Sequence, residues 1–307
     1  MQRRYETVDV FTDRLFGGNP LAVVLDAQAL STAQMQAIAR EFNYSETSFV
    51  LPPADPAHHA RVRIFTPGQE LPFAGHPNVG TAYVLARTRP DPLPDVFLFE
   101  EAAGIVPVRL LRDATGVTGA EFTAPALLHR SGRFEPDAVA RCLGLAPDEI
   151  LVARHPPEIV SVGLAFLAVE LTSRAALRRA RADASALAAL LPAGIITAGI
   201  YLYTRAVDPA EAGTDLQARM FAPGEGIDED PATGSATAAV GALQAALLPE
   251  PDALLSLSVG QGMDMGRPSL LQVRATKRNG TVDSVQVGGR CVPVMAGSFR
   301  LDGTGAD

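Results

Sequence analysis

The sequence predicts an α+β fold of two pseudo-symmetric domains, each a twisted, mostly antiparallel sheet or barrel around one central helix, with the active site in the cleft between them. Three observations predict it. Arg63-Ile64-Phe65-Thr66-Pro67-Gly68-Gln69, leading into Pro72-Phe73-Ala74-Gly75-His76, has a counterpart about half the chain length further on. There Arg219-Met220-Phe221-Ala222-Pro223-Gly224-Glu225 leads into Pro231-Ala232-Thr233-Gly234-Ser235. Each copy then enters a run of small, apolar residues, Val79–Leu85 and Ala236–Leu243, and a helix that is apolar on every side is one enclosed by other structure. Short apolar or alternating stretches bounded by turn residues, the mark of strands, dominate both halves.

The elements follow in order. Val8–Phe11 reads as a strand, Phe16-Gly17-Gly18-Asn19-Pro20 as a turn, and Leu21–Leu25 as the next strand. Ser31 is a natural N-cap for a helix to Phe42, with apolar residues at Met35, Ile38, Ala39 and Phe42. Thr47–Leu51 is a strand stopped by Pro52-Pro53, and Ala60–Phe65 alternates as a half-buried strand does. A helix starts at His76 or Pro77, proline being favoured in a first turn, and runs to about Arg87. Phe97–Phe99 and Ile105–Leu111 add two strands. In the second half, Ile159–Leu171 resembles the region from Gly18 to Leu25, with Gly163 placed like Gly18. Ser173–Leu191, rich in alanine, leucine and arginine, reads as helical, Gly199–Thr204 and Gln217–Phe221 as strands, and Thr233–Leu247 as the second small-residue helix. The expected domains are residues 1–117 and 118–284; the sequence leaves open whether the closing strands over Val282–Phe299 return residues 285–307 to the first domain, as the resemblance given below allows.

Composition narrows the function. The 307 residues are 47% hydrophobic and 20% charged, enough to build two ordinary cores. A net charge of −8 argues against nucleic acid as a partner. The basic run Arg174–Arg181 reads as the solvated face of a helix. There is no polybasic membrane patch, and Met1-Gln2-Arg3-Arg4 passes directly into an amphipathic strand, so a cytoplasmic location is expected. The two cysteines, Cys142 and Cys291, lie in unrelated contexts and imply neither a disulfide framework nor a thiolate metal site. His58-His59 lacks a further ligand at helical spacing, and His129 and His155 look isolated, so no metal and no cofactor are expected.

Two places carry chemistry. Gly75-His76 and Gly234-Ser235 stand where a loop becomes a helix, whose first-turn amides and dipole receive a carboxylate or phosphate. The substrate expected is therefore a small carboxylate-bearing molecule. Glu46, in Asn43-Tyr44-Ser45-Glu46-Thr47-Ser48-Phe49-Val50, lies between a helix and a strand. A carboxylate entering an apolar cleft has its pKa raised by desolvation, which suits proton exchange near neutrality. Asp230, beside Pro231, is placed to orient a histidine, to hold a substrate group or to shape the turn. Gly260-Gln261-Gly262-Met263-Asp264-Met265-Gly266 matches neither a dinucleotide nor a P-loop spacing and reads as a loop lining the cleft or a plain turn.

These residues, with Asp9-Val10-Phe11-Thr12, Gly18-Asn19-Pro20-Leu21-Ala22-Val23, Glu70-Leu71-Pro72-Phe73-Ala74-Gly75-His76-Pro77 and Asp230-Pro231-Ala232-Thr233-Gly234-Ser235-Ala236, resemble the PhzF family of phenazine biosynthesis. More distantly they resemble the diaminopimelate epimerase-like fold. The resemblance spans nearly the whole chain in the family's order. It implies two sheet-wrapped helices with the active site between them, and a homodimer. It puts Glu46 on the family's catalytic acid/base, and His76, Asp230 and Ser235 on residues that assist proton movement. Gly18, Asn19, Gly75, Thr233 and Gly234 fall on substrate-contacting positions. The implied reaction is a cofactor-independent proton shift or epimerisation on a small cyclic or amino carboxylic acid. Epimerase relatives use two cysteines on opposite faces of one carbon, and neither cysteine here lies in a glycine loop. Two other readings use the same residues: a serine hydrolase built on Ser235, His76 and Asp230, and a non-catalytic protein that binds small acids.

Overall fold

The computed structural model describes residues 2–90, 92–191, 197–208, 211, 213–225 and 227–301. The chain divides into one unit of Met1–Pro125 with Gly288–Asp307 and a second of Ala126–Val287.

The first unit contains β1 (Gln2–Val10), β2 (Asn19–Val24), α1 (Thr32–Phe42), β3 (Glu46–Leu51), β4 (Ala60–Phe65), β5 (Glu70–Leu71), α2 (Gly75–Thr88), β6 (Val96–Glu101), β7 (Gly104–Asp113) and β8 (Gly116–Thr123). α1 begins at a full capping box, Ser31 accepting from the Gln34 amide while the Gln34 side chain accepts from Ser31 N–H. The pairs β1–β2, β3–β4, β6–β7 and β7–β8 are antiparallel. Two pairs are parallel, β2–β3 and β4–β6, and these are the two whose connections carry a helix.

The second unit contains β9 (His129–Arg133), α3 (Pro136–Leu143), β10 (Glu158–Ser161), β11 (Ala165–Glu170), α4 (Arg174–Arg179), α5 (Ala184–Leu190), β12 (Ile200–Thr204), β13 (Leu216–Ala222), β14 (Ile227–Asp230), α6 (Gly234–Ala246), β15 (Ala253–Gln261), β16 (Ser269–Arg278) and the start of β17 (Thr281–Arg300). Its pattern repeats that of the first: antiparallel hairpins interrupted by the parallel pairs β11–β12 and β13–β15, again the pairs joined through helices. β17 continues past Gly288 into the first unit, where it pairs antiparallel with β1 and also pairs with β8. That closes β1, β2, β3, β4, β6, β7, β8 and β17 into a barrel without an open edge.

α2 fills this barrel. Every residue from Gly75 to Ala86 is buried, as is every residue of α6 from Gly234 to Ala245 in its own unit. α6 packs on β10 and β11 as well as on β15 and β16, so the second sheet curls around it. The small-residue composition follows from this enclosure.

Two expectations need correction, and one helical stretch proves to be divided. A boundary after residue 117 cuts β8, which belongs with β7 through a hairpin register running from Val108↔Phe122 to Asp113↔Gly116; the first unit reaches Pro125. Ser173–Leu191 is two helices. The backbone leaves the helical region at Ala180, where the buried Arg219 guanidinium donates to the carbonyls of Leu177, Arg178 and Ala180, and α5 restarts from an Asp183 N-cap. Nor is the basic run wholly solvated: Arg174 is buried in forked pairs with Glu211 and Asp264.

Candidate active site

The repeated motif has a physical role in each unit. Arg63 on β4 makes a forked pair with Glu70 on β5, at 2.7 and 2.6 Å, and its guanidinium lies 5.1 Å over the Phe65 ring. Arg219 on β13 does the same with Glu229 on β14, at 2.7 and 2.8 Å, over Phe221 at 4.6 Å. In both, the clasped hairpin delivers the chain to a helix N-terminus, Ala74-Gly75 in one and Thr233-Gly234 in the other. Neither N-cap residue caps its helix with a side chain.

In the first unit, Asn19 opens β2, Glu46 opens β3 in parallel register with Leu21, and His76 is the second residue of α2. These three meet at one end of the barrel. His76 Nε2 lies 3.5 Å from Glu46 Oε2, and Asn19 Nδ2 lies 3.2 Å from His76 Nδ1. His76 is fully enclosed, and burial pushes it down to about 3, so the ring is neutral near pH 7. A neutral imidazole carries one N–H. With a carboxylate at Nε2 and an amide donor at Nδ1, that proton sits on Nε2 and faces Glu46. Asn19, expected to touch substrate, is entirely buried and spends its amide on this tautomer. Gly18 is buried in a left-handed turn, φ +61, where a Cβ would sit 2.3 Å from the Val10 carbonyl oxygen. Its requirement is steric.

In the second unit, Asp230 ends β14 and Thr233 precedes α6. The Thr233 hydroxyl donates to Asp230 Oδ2 at 2.6 Å instead of capping the helix. Ser235 and Gly234 lie in the buried first turn. The structure adds two residues that the motifs did not single out. Tyr201 on β12 hydrogen-bonds Thr237 of α6 at 2.9 Å, and burial, reinforced by the Asp230 charge, pushes its phenol well up, keeping it protonated. Gln261 at the end of β15 reaches the Asp230–Thr233 turn with three hydrogen bonds. The signal available for it was one amide side chain between two glycines, too weak to separate from a plain turn.

Other side chains bear on the competing chemistries. In a Ser-His-Asp triad an acid orients the histidine through Nδ1; here Nδ1 of His76 belongs to Asn19. Cys142, in α3, and Cys291, in β17, are both buried, and burial raises both thiols, so neither is a ready thiolate. His155 is not isolated: its Nε2 meets the Tyr203 hydroxyl at 2.5 Å within a buried group that includes Glu170 and Gln244. Among the described residues no group of three His, Cys, Asp or Glu is placed to hold a metal, and no helix is long and apolar enough to cross a membrane.

Comparison with known proteins agrees with this architecture. The family model for phenazine biosynthesis-like proteins matches residues 8–297. An uncharacterised isomerase of Mesorhizobium japonicum is 41% identical over 97% of this chain and 99% of its own length. The trans-2,3-dihydro-3-hydroxyanthranilate isomerase of Pseudomonas aeruginosa is 36% identical over 97% and 99%. Among solved structures, a Bacillus anthracis phenazine biosynthesis protein of the PhzF family superposes with a TM-score of 0.87 at 25% identity, over 98% of this chain and 100% of the other.

Proposed function

Because this chain belongs to the phenazine biosynthesis-like PhzF family and is an isomerase of it, we propose that it moves a proton on a small cyclic or amino carboxylic acid by acid/base catalysis at Glu46, without a cofactor. The observation that carries the reading is the Asn19–His76–Glu46 arrangement. A charged imidazolium beside Glu46 would hold its carboxylate in an ion pair. A neutral imidazole 3.5 Å away forms no ion pair and leaves the carboxylate basic. Glu46 then takes a proton from one carbon and returns it to another on the same face, as one group can when the substrate stays clamped. Loss of the proton leaves negative charge on the substrate, and the helix N-terminus at Gly75, next to His76, is a dipole of the sign that stabilises such charge. Asp230 and Ser235, from the family motif in which they stand, are the further groups assigned to assist proton movement. The working substrate is an unsaturated ring acid of the kind named for the Pseudomonas relative.

The test is proton exchange in D2O followed by NMR, with trans-2,3-dihydro-3-hydroxyanthranilate and a panel of small amino and cyclic acids. Deuterium entry or double-bond migration is expected with the natural chain, and Glu46→Gln should slow it about a thousandfold while binding persists. Undiminished exchange in Glu46→Gln would end the proposal.

A further inference from the structure

We propose that Gln261 is a positioning residue that fixes the direction of proton donation onto Asp230. This rests on the reading of Asp230 as a group that assists proton movement.

Gln261 is wholly buried at the end of β15. Its amide orientation is not free. The Thr233 backbone N–H donates to Oε1 at 3.1 Å, and an N–H cannot accept, so the opposite end of the amide must be the NH2. That Nε2 donates to the Asp230 carbonyl at 2.8 Å and to Thr233 Oγ1 at 3.0 Å. Having accepted from Gln261, the Thr233 hydroxyl gives its own hydrogen to Asp230 Oδ2, at 2.6 Å. The order of donation runs from Gln261 through Thr233 to Asp230, which therefore stays an acceptor. The same side chain ties both ends of the turn, while Ser269 holds its middle by donating to the Pro231 carbonyl at 3.1 Å. Among the described residues, the ionisable groups near it include the Tyr201 phenol of β12 and the Arg219–Glu229 pair of its own hairpin, with Asp264 beside Arg219.

The isosteric change Gln261→Glu reverses the polarity at one point. The new carboxylate still accepts from Thr233 N–H but cannot donate. The Thr233 hydroxyl turns to it, and Asp230 loses that donor beside a second negative charge. Titrating 13C-labelled aspartate by NMR, with the Asp230 signal assigned from Asp230→Asn, should show the Asp230 midpoint moving up by about one pH unit or more. Thr233→Val, which removes the intermediate hydroxyl without a new charge, should also raise it. In the double variant, Gln261→Glu should then add only the effect of its charge. A folded Gln261→Glu or Thr233→Val protein whose Asp230 titrates as in the natural chain would overturn the proposal. The titration needs no turnover. If the midpoint moves but the pH–rate profile of the exchange reaction does not, the positioning role stands and the catalytic reading of Asp230 falls.

Discussion

His76 makes the neutrality of the proposed base pair measurable without a substrate. The perturbation is acidification from about pH 7 to about pH 5. In the unfolded chain the imidazole takes up a proton near its ordinary value of 6.5; in the fold, burial holds it down to about 3. Over this interval the unfolded state binds a proton that the folded state does not. Stability therefore falls as pH drops through 6.5, and goes on falling until the folded group itself titrates near 3. At about 1.4 kcal/mol per unit, integration from pH 7 to 5 assigns His76 a loss of about 2 kcal/mol. His76→Asn keeps a polar side chain in the pocket but has nothing to titrate there. Urea unfolding followed by circular dichroism, at both pH values and for both proteins, should show the natural chain losing about 2 kcal/mol more than the variant. The ring nitrogens should keep the Nε2–H signature throughout. Equal losses in the two proteins would refute the argument, because His76 would then be protonated in the fold and paired with Glu46.

Two further predictions concern the same barrel. Burial pushes Glu101, at the end of β6, up to about 8 from 4.5, against a smaller opposing contribution from Asn78. The folded state then holds a proton that the unfolded state releases, a contribution present at low pH and lost as pH rises through 8. Glu101→Gln should be nearly neutral at pH 5 and stabilise by as much as about 5 kcal/mol at pH 9, read from denaturation midpoints; an equal effect at both pH values would show an ordinary surface carboxylate. Gly80→Ala puts a Cβ 2.5 Å from Leu21 Cδ2, 2.8 Å from Val10 Cγ2 and 3.2 Å from Val8 Cγ2. Helix propensity favours alanine by about 1 kcal/mol, whereas overpacking costs about 1–3, so a net loss of about 1 kcal/mol is expected; a raised Tm would show that α2 is not confined by β1 and β2.

Much of the scaffold was legible because it rests on local chemistry. Ser31 reads as an N-cap since its hydroxyl satisfies an amide three residues away, and α2 and α6 read as enclosed helices since they lack a polar face. The repeat was visible as words, but its reason was not. Arg63 and Glu70, and Arg219 and Glu229, pair across hairpins, and a guanidinium in sequence carries no sign of which carboxylate it will meet. The break after Arg179 was hidden for the same cause: alanine, leucine and arginine all favour helix, and the carbonyls that end α4 are claimed by Arg219, on β13, three elements further along the chain.

The candidate site divides along that line. The sequence by itself determined which residues are candidates: His76, Asp230 and Ser235 stand beside the glycines and prolines of loop-to-helix turns, and Glu46 stands between a helix and a strand. Only the tertiary structure decided their protonation and their partners. The imidazole of His76 is neutral because a barrel encloses it, its proton sits on Nε2 because Asn19 occupies Nδ1, and Asp230 accepts from Thr233 because Gln261 has filled the other side of that hydroxyl. Burial and hydrogen-bond direction depend on atoms brought together from distant parts of the chain, and no local pattern of residues encodes them.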